Sequence, residues 1–304
     1  MYKKILVPLD GSKLSEAVFP YAKELAGRMD LDIVFLHVCS PEESELLPMH
    51  RVYIERAAEI VKRQSQEVRK RTGIQTGVKT IEAQVEMAVG HPAEEILNYA
   101  DNHDIDLICM ATHGRSGIRR WALGSVADKV LQASKVPVWL VRVGVPEEIA
   151  YDKWPRRTIL VPLDGSELAE AVLPHVKAVV KQRDSGLVDV VLLRVCEQPL
   201  ITADYPFSDW EKHVKQMADY FQQEAQNYLS GWEKRLKGDG IKVRSEVSIG
   251  RPSDEIIKYA SISPFTLIVM ATHGRSGLGR WAFGNVADRV LHGVSNPILL
   301  VRPK

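Results

Sequence analysis

Three glycines, three arginines and two serines crowd one short stretch of this chain. They are Gly114, Gly117 and Gly124; Arg115, Arg119 and Arg120; and Ser116 and Ser125. Glycines let successive backbone N–H groups converge on one point, arginines add positive charge, and a serine hydroxyl adds a donor. Gly124 and Ser125 also carry helix-start chemistry, with Val126, Val130 and Leu131 forming an apolar face behind them. A helix N-terminus exposes unpaired N–H groups and the positive end of the helix dipole, which favours an anion. The ligand such a loop suits best is a phosphate chain.

Positioning that loop requires a strand before it and an acidic partner opposite. LICMA (107–111) is a short apolar run that reads as a strand ending at Met110 and Ala111. ILVPL (5–9), IVFLHV (33–38), a β-branched stretch near Thr80–Val85 and VPVWLV (136–141) read the same way, with helical periods between them. Ser12 and Ser166 stand where helix caps are expected, and Pro92 and Pro252 suit first helical turns. Alternating strands and helices predict an α/β fold, a parallel sheet with right-handed crossovers. Five strands suggest the flavodoxin-like order 3-2-1-4-5, whose ligand crevice lies beyond strands one and four. Strand one ends in Pro8-Leu9-Asp10, and strand four ends in the glycine-arginine loop, so the two converge.

All of this occurs twice. Met110–Leu131 returns as Met270–Leu291 with five differences in 22 positions: Ile118/Leu278, Arg119/Gly279, Leu123/Phe283, Ser125/Asn285 and Lys129/Arg289. ILVPLDGS returns at 159–166, IVFLHVC (33–39) as VVLLRVC (190–196), and VPVWLVR (136–142) as NPILLVR (296–302). The repeat is as large as a domain, which predicts domains over 1–143 and 157–304 joined by a proline-bearing linker over 144–156. The terminal strands 136–142 and 296–302 are expected to form the contact between copies.

The chain has 304 residues, with 40 Lys+Arg against 39 Asp+Glu, a balance that argues against nucleic-acid binding by bulk charge. No apolar run approaches a membrane span, and none suggests a signal peptide before Ile5. Cys39, Cys109 and Cys196 form no C-x-x-C spacing, so neither a disulfide framework nor a zinc site is suggested, and a reducing cytoplasm fits. Cys39 and Cys196 are expected as small buried residues. The aromatic stripe Trp210, Val214, Met217, Phe221, Tyr228, Trp232 reads mainly as core. No G-x4-G-K-[S/T] loop occurs, so no strong phosphate-hydrolysing apparatus is suggested and no catalytic residue is assigned.

Over essentially its whole length the chain resembles a tandem universal stress protein. The nucleotide-binding members of that family carry G-x2-G-x9-G-[S/T] after strand four. Here Gly114 and Gly124-Ser125 match, as do Gly274 and Gly284-Asn285, while the first glycine is Ala111 or Ala271. At a positive φ an alanine there would cost about 1 kcal/mol or more; at an ordinary φ only a small side chain is needed.

The resemblance implies tandem Rossmann-like, HUP-type domains binding ATP with Mg2+ as a nucleotide-dependent switch or sensor in the cytoplasm. Asp10 would hold the ribose or reach Mg2+ through its water, and the Val38 backbone would meet adenine. Pro8, Leu9, Met110, Ala111, His113, Gly114, Arg115, Ser116, Gly117, Gly124, Ser125 and Val126 would complete site one. Site two would take Pro162, Leu163, Asp164, Val195, Met270, Ala271, His273, Gly274, Arg275, Ser276, Gly277, Gly284, Asn285 and Val286. Asn285 and Gly279 in place of Ser125 and Arg119 favour site one. The family also implies an intramolecular pseudo-dimer and allows a homodimer. Two alternatives stand beside this reading: a dimerising scaffold with vestigial loops, and an adenylating or slow ATP-hydrolysing enzyme.

Overall fold

The apolar runs become central strands because helices cover both of their faces. The computed structural model describes residues 2–72, 80–112, 123–142, 157–181, 188–197, 210–273 and 283–303. Copy one runs β1 (Lys4–Leu9), α1 (Phe19–Met29), β2 (Asp32–Cys39), α2 (Leu47–Arg71), β3 (Ala83–Val89), α3 (Pro92–Asn102), β4 (Leu107–Ala111), α4 (Ser125–Ala133) and β5 (Val138–Val141). Copy two runs β6 (Arg157–Pro162), α5 (Glu167–Glu170), α6 (Leu173–Lys181), β7 (Val188–Cys196), α7 (Trp210–Gly238), β8 (Val243–Ile249), α8 (Pro252–Ser261), β9 (Leu267–Ala271), α9 (Asn285–Gly293) and β10 (Ile298–Val301). The expected linker, 144–156, lies outside the described residues.

The sheet order is β3-β2-β1-β4-β5-β10-β9-β6-β7-β8, so each copy has the expected order 3-2-1-4-5. Alternation along β1 explains the layering. Ile5, Val7 and Leu9 join one core with α1 and α2, while Leu6 joins Val34 and Leu36 in the other, with α3 and α4. Helices after β1 and β4 therefore leave on opposite faces, which is what makes a switch point.

The strands expected to meet across the copies do so. β5 and β10 pair antiparallel, with Leu140 opposite Ile298, Trp139 opposite Leu299 and Val138 opposite Leu300. Trp139 and Leu299 are equivalent positions of the repeat, so the pseudo-twofold axis passes between them. Both core clusters continue across this seam.

Two expectations need correction. The third strand lies at Ala83–Val89, later than Thr80–Val85. It is a sheet edge with alternate residues exposed, so its polar face breaks up the apolar run that marks buried strands. The aromatic stripe of α7 is only partly core. Val214 is buried and Tyr228 and Trp232 are half-buried, but Met217 and Phe221 are 45% and 46% exposed. At 29 residues α7 extends about 43 Å, whereas the nine residues of β7 span about 30 Å. Its N-terminal turns overrun the sheet.

One contact joins the copies through a titratable group. Tyr2 Oη and His175 Nδ1 are hydrogen-bonded at 2.6 Å. Burial holds the His175 pKa below its ordinary 6.5, so the folded chain keeps this ring neutral where the unfolded chain would protonate it. Stability from the neutral ring is intact above 6.5, falls as pH drops through that value, and levels off once the lower folded pKa is passed. His175→Gln should remove that acid-side loss. Urea midpoints of wild type and variant should converge between about pH 7.5 and pH 5; a pH-independent gap between them would contradict it.

Candidate functional site

The crevice opens because of a proline. β1 pairs with β2 along its whole length to Leu9, opposite His37, but with β4 only at Ile5–Leu107 and Leu6–Ile108. The second copy repeats this at Ile159–Leu267 and Leu160–Ile268. Leu163 donates its N–H to Leu193 of β7 at 2.9 Å, so the alternating Pro162 faces β9 with no N–H to give. Pro8 stands at the matching position. The prolines named as candidate contacts thus let strands one and four part above the sheet.

At the head of each first strand stands the candidate carboxylate. Asp10 Oδ1 accepts from the Ser12 N–H at 3.0 Å and from Ser12 Oγ at 2.7 Å. Asp164 Oδ1 accepts from Ser166 in the same way, at 2.9 and 2.6 Å. The turn needs glycine between them: Gly11 and Gly165 have φ of 78° and 86°, a left-handed conformation. Ser12 Oγ then accepts from Ser15 N–H, and Ser166 Oγ caps α5 through Ala169 N–H, both at 3.2 Å. Asp-Gly-Ser is therefore one locked unit that starts the next helical turn and fixes the carboxylate's direction.

Across the crevice, Thr112 and Thr272 close the neck of each loop. Thr112 N–H donates to Val141 O and Thr112 O accepts from Gly124 N–H, both at 2.9 Å; Thr272 does the same with Val301 and Gly284. From that neck α4 and α9 begin, with the carbonyls of Gly124 and Gly284 accepting from Asp128 and Asp288. Gly124 (φ −66°, ψ 147°) and Gly284 (φ −61°, ψ 145°) sit in ordinary extended backbone. Glycine is expected to let successive N–H groups converge, but the backbone at 124 and 284 is open to any residue and needs no special glycine conformation. Ser125 and Asn285 follow as exposed residues, and Val126 and Val286 pack half-buried behind them. Asp128 is the acidic residue of the first turn and accepts from Gln132 Nε2 at 3.0 Å.

Ala111 and Ala271 are strand residues, Ala111 opposite Val141 and Ala271 opposite Val301, and neither has a positive φ. A small side chain suffices there, and the replaced glycine carries no backbone penalty. Met110 and Met270 are 5% exposed and belong to the core beneath the crevice. Val38 and Val195 stand one residue before the ends of β2 and β7, half-buried. His273 Nδ1 lies 3.1 Å from Thr272 Oγ1, a local contact at the loop neck. His113, Gly114, Arg115, Ser116 and Gly117, with Gly274, Arg275, Ser276 and Gly277, lie outside the described residues.

Two constellations escaped the sequence reading. Tyr53 Oη donates to Glu16 at 2.5 Å beside Asp10, and Tyr228 Oη donates to Glu170 at 2.7 Å, each bridging a long helix to the turn after strand one. Burial and the carboxylate hold both phenols protonated. The second is His37, Cys39 and His50, whose ligand atoms lie within 4.8 Å of one another. A His-x-Cys on a strand puts both side chains on one face, which was the available signal.

The family model for the universal stress protein family matches residues 1–142 and again 155–302. The chain belongs to the universal stress protein family. It is a tandem member. A universal stress protein of Methanocaldococcus jannaschii is 32% identical over 142 residues, 47% of this chain and 83% of the relative. One from Mycolicibacterium smegmatis is 24% identical over 305 residues, 99% of this chain and 97% of its own length. Among solved structures, a universal stress protein from Archaeoglobus fulgidus aligns over 99% of this chain and 96% of its own, with a TM-score of 0.65 at 20% identity, a likeness of fold. Among the described residues no helix is long and apolar enough to cross a membrane.

Proposed function

We propose that this tandem universal stress protein binds ATP with Mg2+ in the crevice between strands one and four, in one or both copies. Nucleotide occupancy would act as a switch or sensor in the cytoplasmic stress response. The observation that carries the reading is the loop neck at Thr112 and Gly124. It starts α4 beside the end of β4, where β1 and β4 have parted, with no side-chain cap bond from Gly124. The residue types fit the ligand: backbone N–H groups and arginines for phosphates, a fixed carboxylate for the ribose or for a hydrated Mg2+, and the Val38 backbone for adenine. Bound Mg2+ would supply charge neutralisation of the phosphates; the chain's residues bind and orient. Among the described residues of this arrangement no side chain is placed as a general base, which supports a binding role with at most slow hydrolysis.

The proposed units are 1–143 and 157–304, with 144–156 between them. Denaturing the purified chain and running the supernatant for nucleotide tests the reading. ATP, ADP or AMP at one or two equivalents per chain supports it. A clean supernatant, together with no calorimetric heat on adding Mg-ATP, would leave a dimerising scaffold in its place.

A further inference from the structure

We propose that copy one holds a metal site, formed by His37, Cys39 and His50, for a divalent ion of the zinc class. The three side chains converge from two elements. His37 and Cys39 leave β2 on the face covered by α2, and His50 comes from the first turns of α2. All three are buried, at 2%, 0% and 9% exposure. Buried imidazole and thiol in one cluster are the donor set that borderline-soft ions take, whereas Mg2+ and Ca2+ require oxygen.

The hydrogen bonds already arrange the first ligand. His37 Nδ1 lies 2.8 Å from Leu9 O, and a carbonyl only accepts, so Nδ1 carries the proton. That leaves the Nε2 lone pair directed inward, and a backbone carbonyl holding the far nitrogen is how metal-ligating imidazoles are oriented. His50 Nδ1 stands 2.8 Å from that Nε2 and donates to it. Tetrahedral zinc separates two nitrogens by about 3.4 Å, and nitrogen from sulfur by about 3.6 Å. Separations of 2.8 Å and up to 4.8 Å reach those values by small side-chain movements. On binding, the Cys39 thiol loses its proton to water and its sulfur bonds the ion. His50 moves its proton from Nδ1 to Nε2 and bonds through Nδ1. The balance is a single proton released per ion, with water in the fourth position.

The second copy serves as an internal control. Arg194 stands where His37 does in copy one, its guanidinium 5.0 Å from the centre of the Tyr228 ring. Cys196, the partner of Cys39, is half-buried and donates through Sγ to Phe221 O at 3.7 Å. Among the described residues the cluster therefore belongs to copy one, and it adjoins the crevice through Leu9.

The test uses the full chain, stripped with a chelator and titrated with Co2+ in the absence of nucleotide. One equivalent should bind per chain, with a thiolate-to-cobalt charge-transfer absorption that Zn2+ displaces and with a single proton released. Cys39→Ser should abolish the absorption, Cys196→Ser should leave it, and His50→Asn should weaken Co2+ binding at least about 100-fold. Should Cys39→Ser fail to fold, a C109A/C196S variant, with Cys39 as its one cysteine, must keep the absorption. No stoichiometric Co2+ binding by wild type overturns the proposal. So does an absorption that survives Cys39→Ser or vanishes in C109A/C196S.

Discussion

Trp139→Ala should destabilise the chain by about 3–5 kcal/mol, the largest loss expected from a single truncation in the sheet. Trp139 is fully buried, beside Cys109 on β4 and opposite Leu299 on β10. The side chain sits where the two copies join, so the cavity would open on the pseudo-twofold axis rather than inside one copy. A homodimer must place identical residues at such a position. A duplicated chain can place a large residue against a smaller one, and this chain sets Trp139 against Leu299. The complementary change, Leu299→Trp, should also destabilise, by about 1–3 kcal/mol, because two indoles would overfill the same space. Urea unfolding reads both. A loss under about 1 kcal/mol for Trp139→Ala would mean that the seam relaxes around the gap.

On the proposed function, Gly124→Val should lower Mg-ATP affinity at copy one at least about 100-fold, equal to about 2.8 kcal/mol, while the chain stays folded. The backbone at Gly124, φ −66° and ψ 147°, accommodates valine without strain. The added side chain would stand over the first N–H groups of α4 and displace the phosphate from them. A hydrogen bond to a charged group is worth about 1.5–3 kcal/mol, so losing one or two accounts for the magnitude. Isothermal titration with Mg-ATP, alongside unfolding of the same variant, separates the two effects. Unchanged affinity in a folded Gly124→Val protein would remove the phosphate role of the α4 N-terminus. Gly284→Val makes the same test in copy two, where Asn285 replaces Ser125.

Much of this architecture is written in local pattern. Short apolar runs such as ILVPL and LICMA predict buried parallel strands because only a strand covered on both faces is apolar throughout. Near-identity of the two loops predicts the same turn twice. Edge strand β3 was harder to place because its exposed face breaks the apolar run. In the first half of α7 the apolar spacing is plain, but it does not tell that the helix overruns the sheet and leaves Met217 and Phe221 exposed. Local spacing also hid His37, Cys39 and His50. Ligand sets read from sequence are short repeats, whereas this one joins a strand to a helix across a chain excursion.

From the sequence alone came the duplication, the order of strands and helices, and the residue types at the crevice, because each is a property of neighbours along the chain. Tertiary structure decided what those residues do. It made Pro8 and Pro162 the point where strands part, placed Ala111 in ordinary strand backbone, and put Trp139 on the axis between copies. It also turned His37 toward His50. These outcomes depend on which strand lies alongside and which helix lies above, and contacts between distant residues are settled only when the sheet closes.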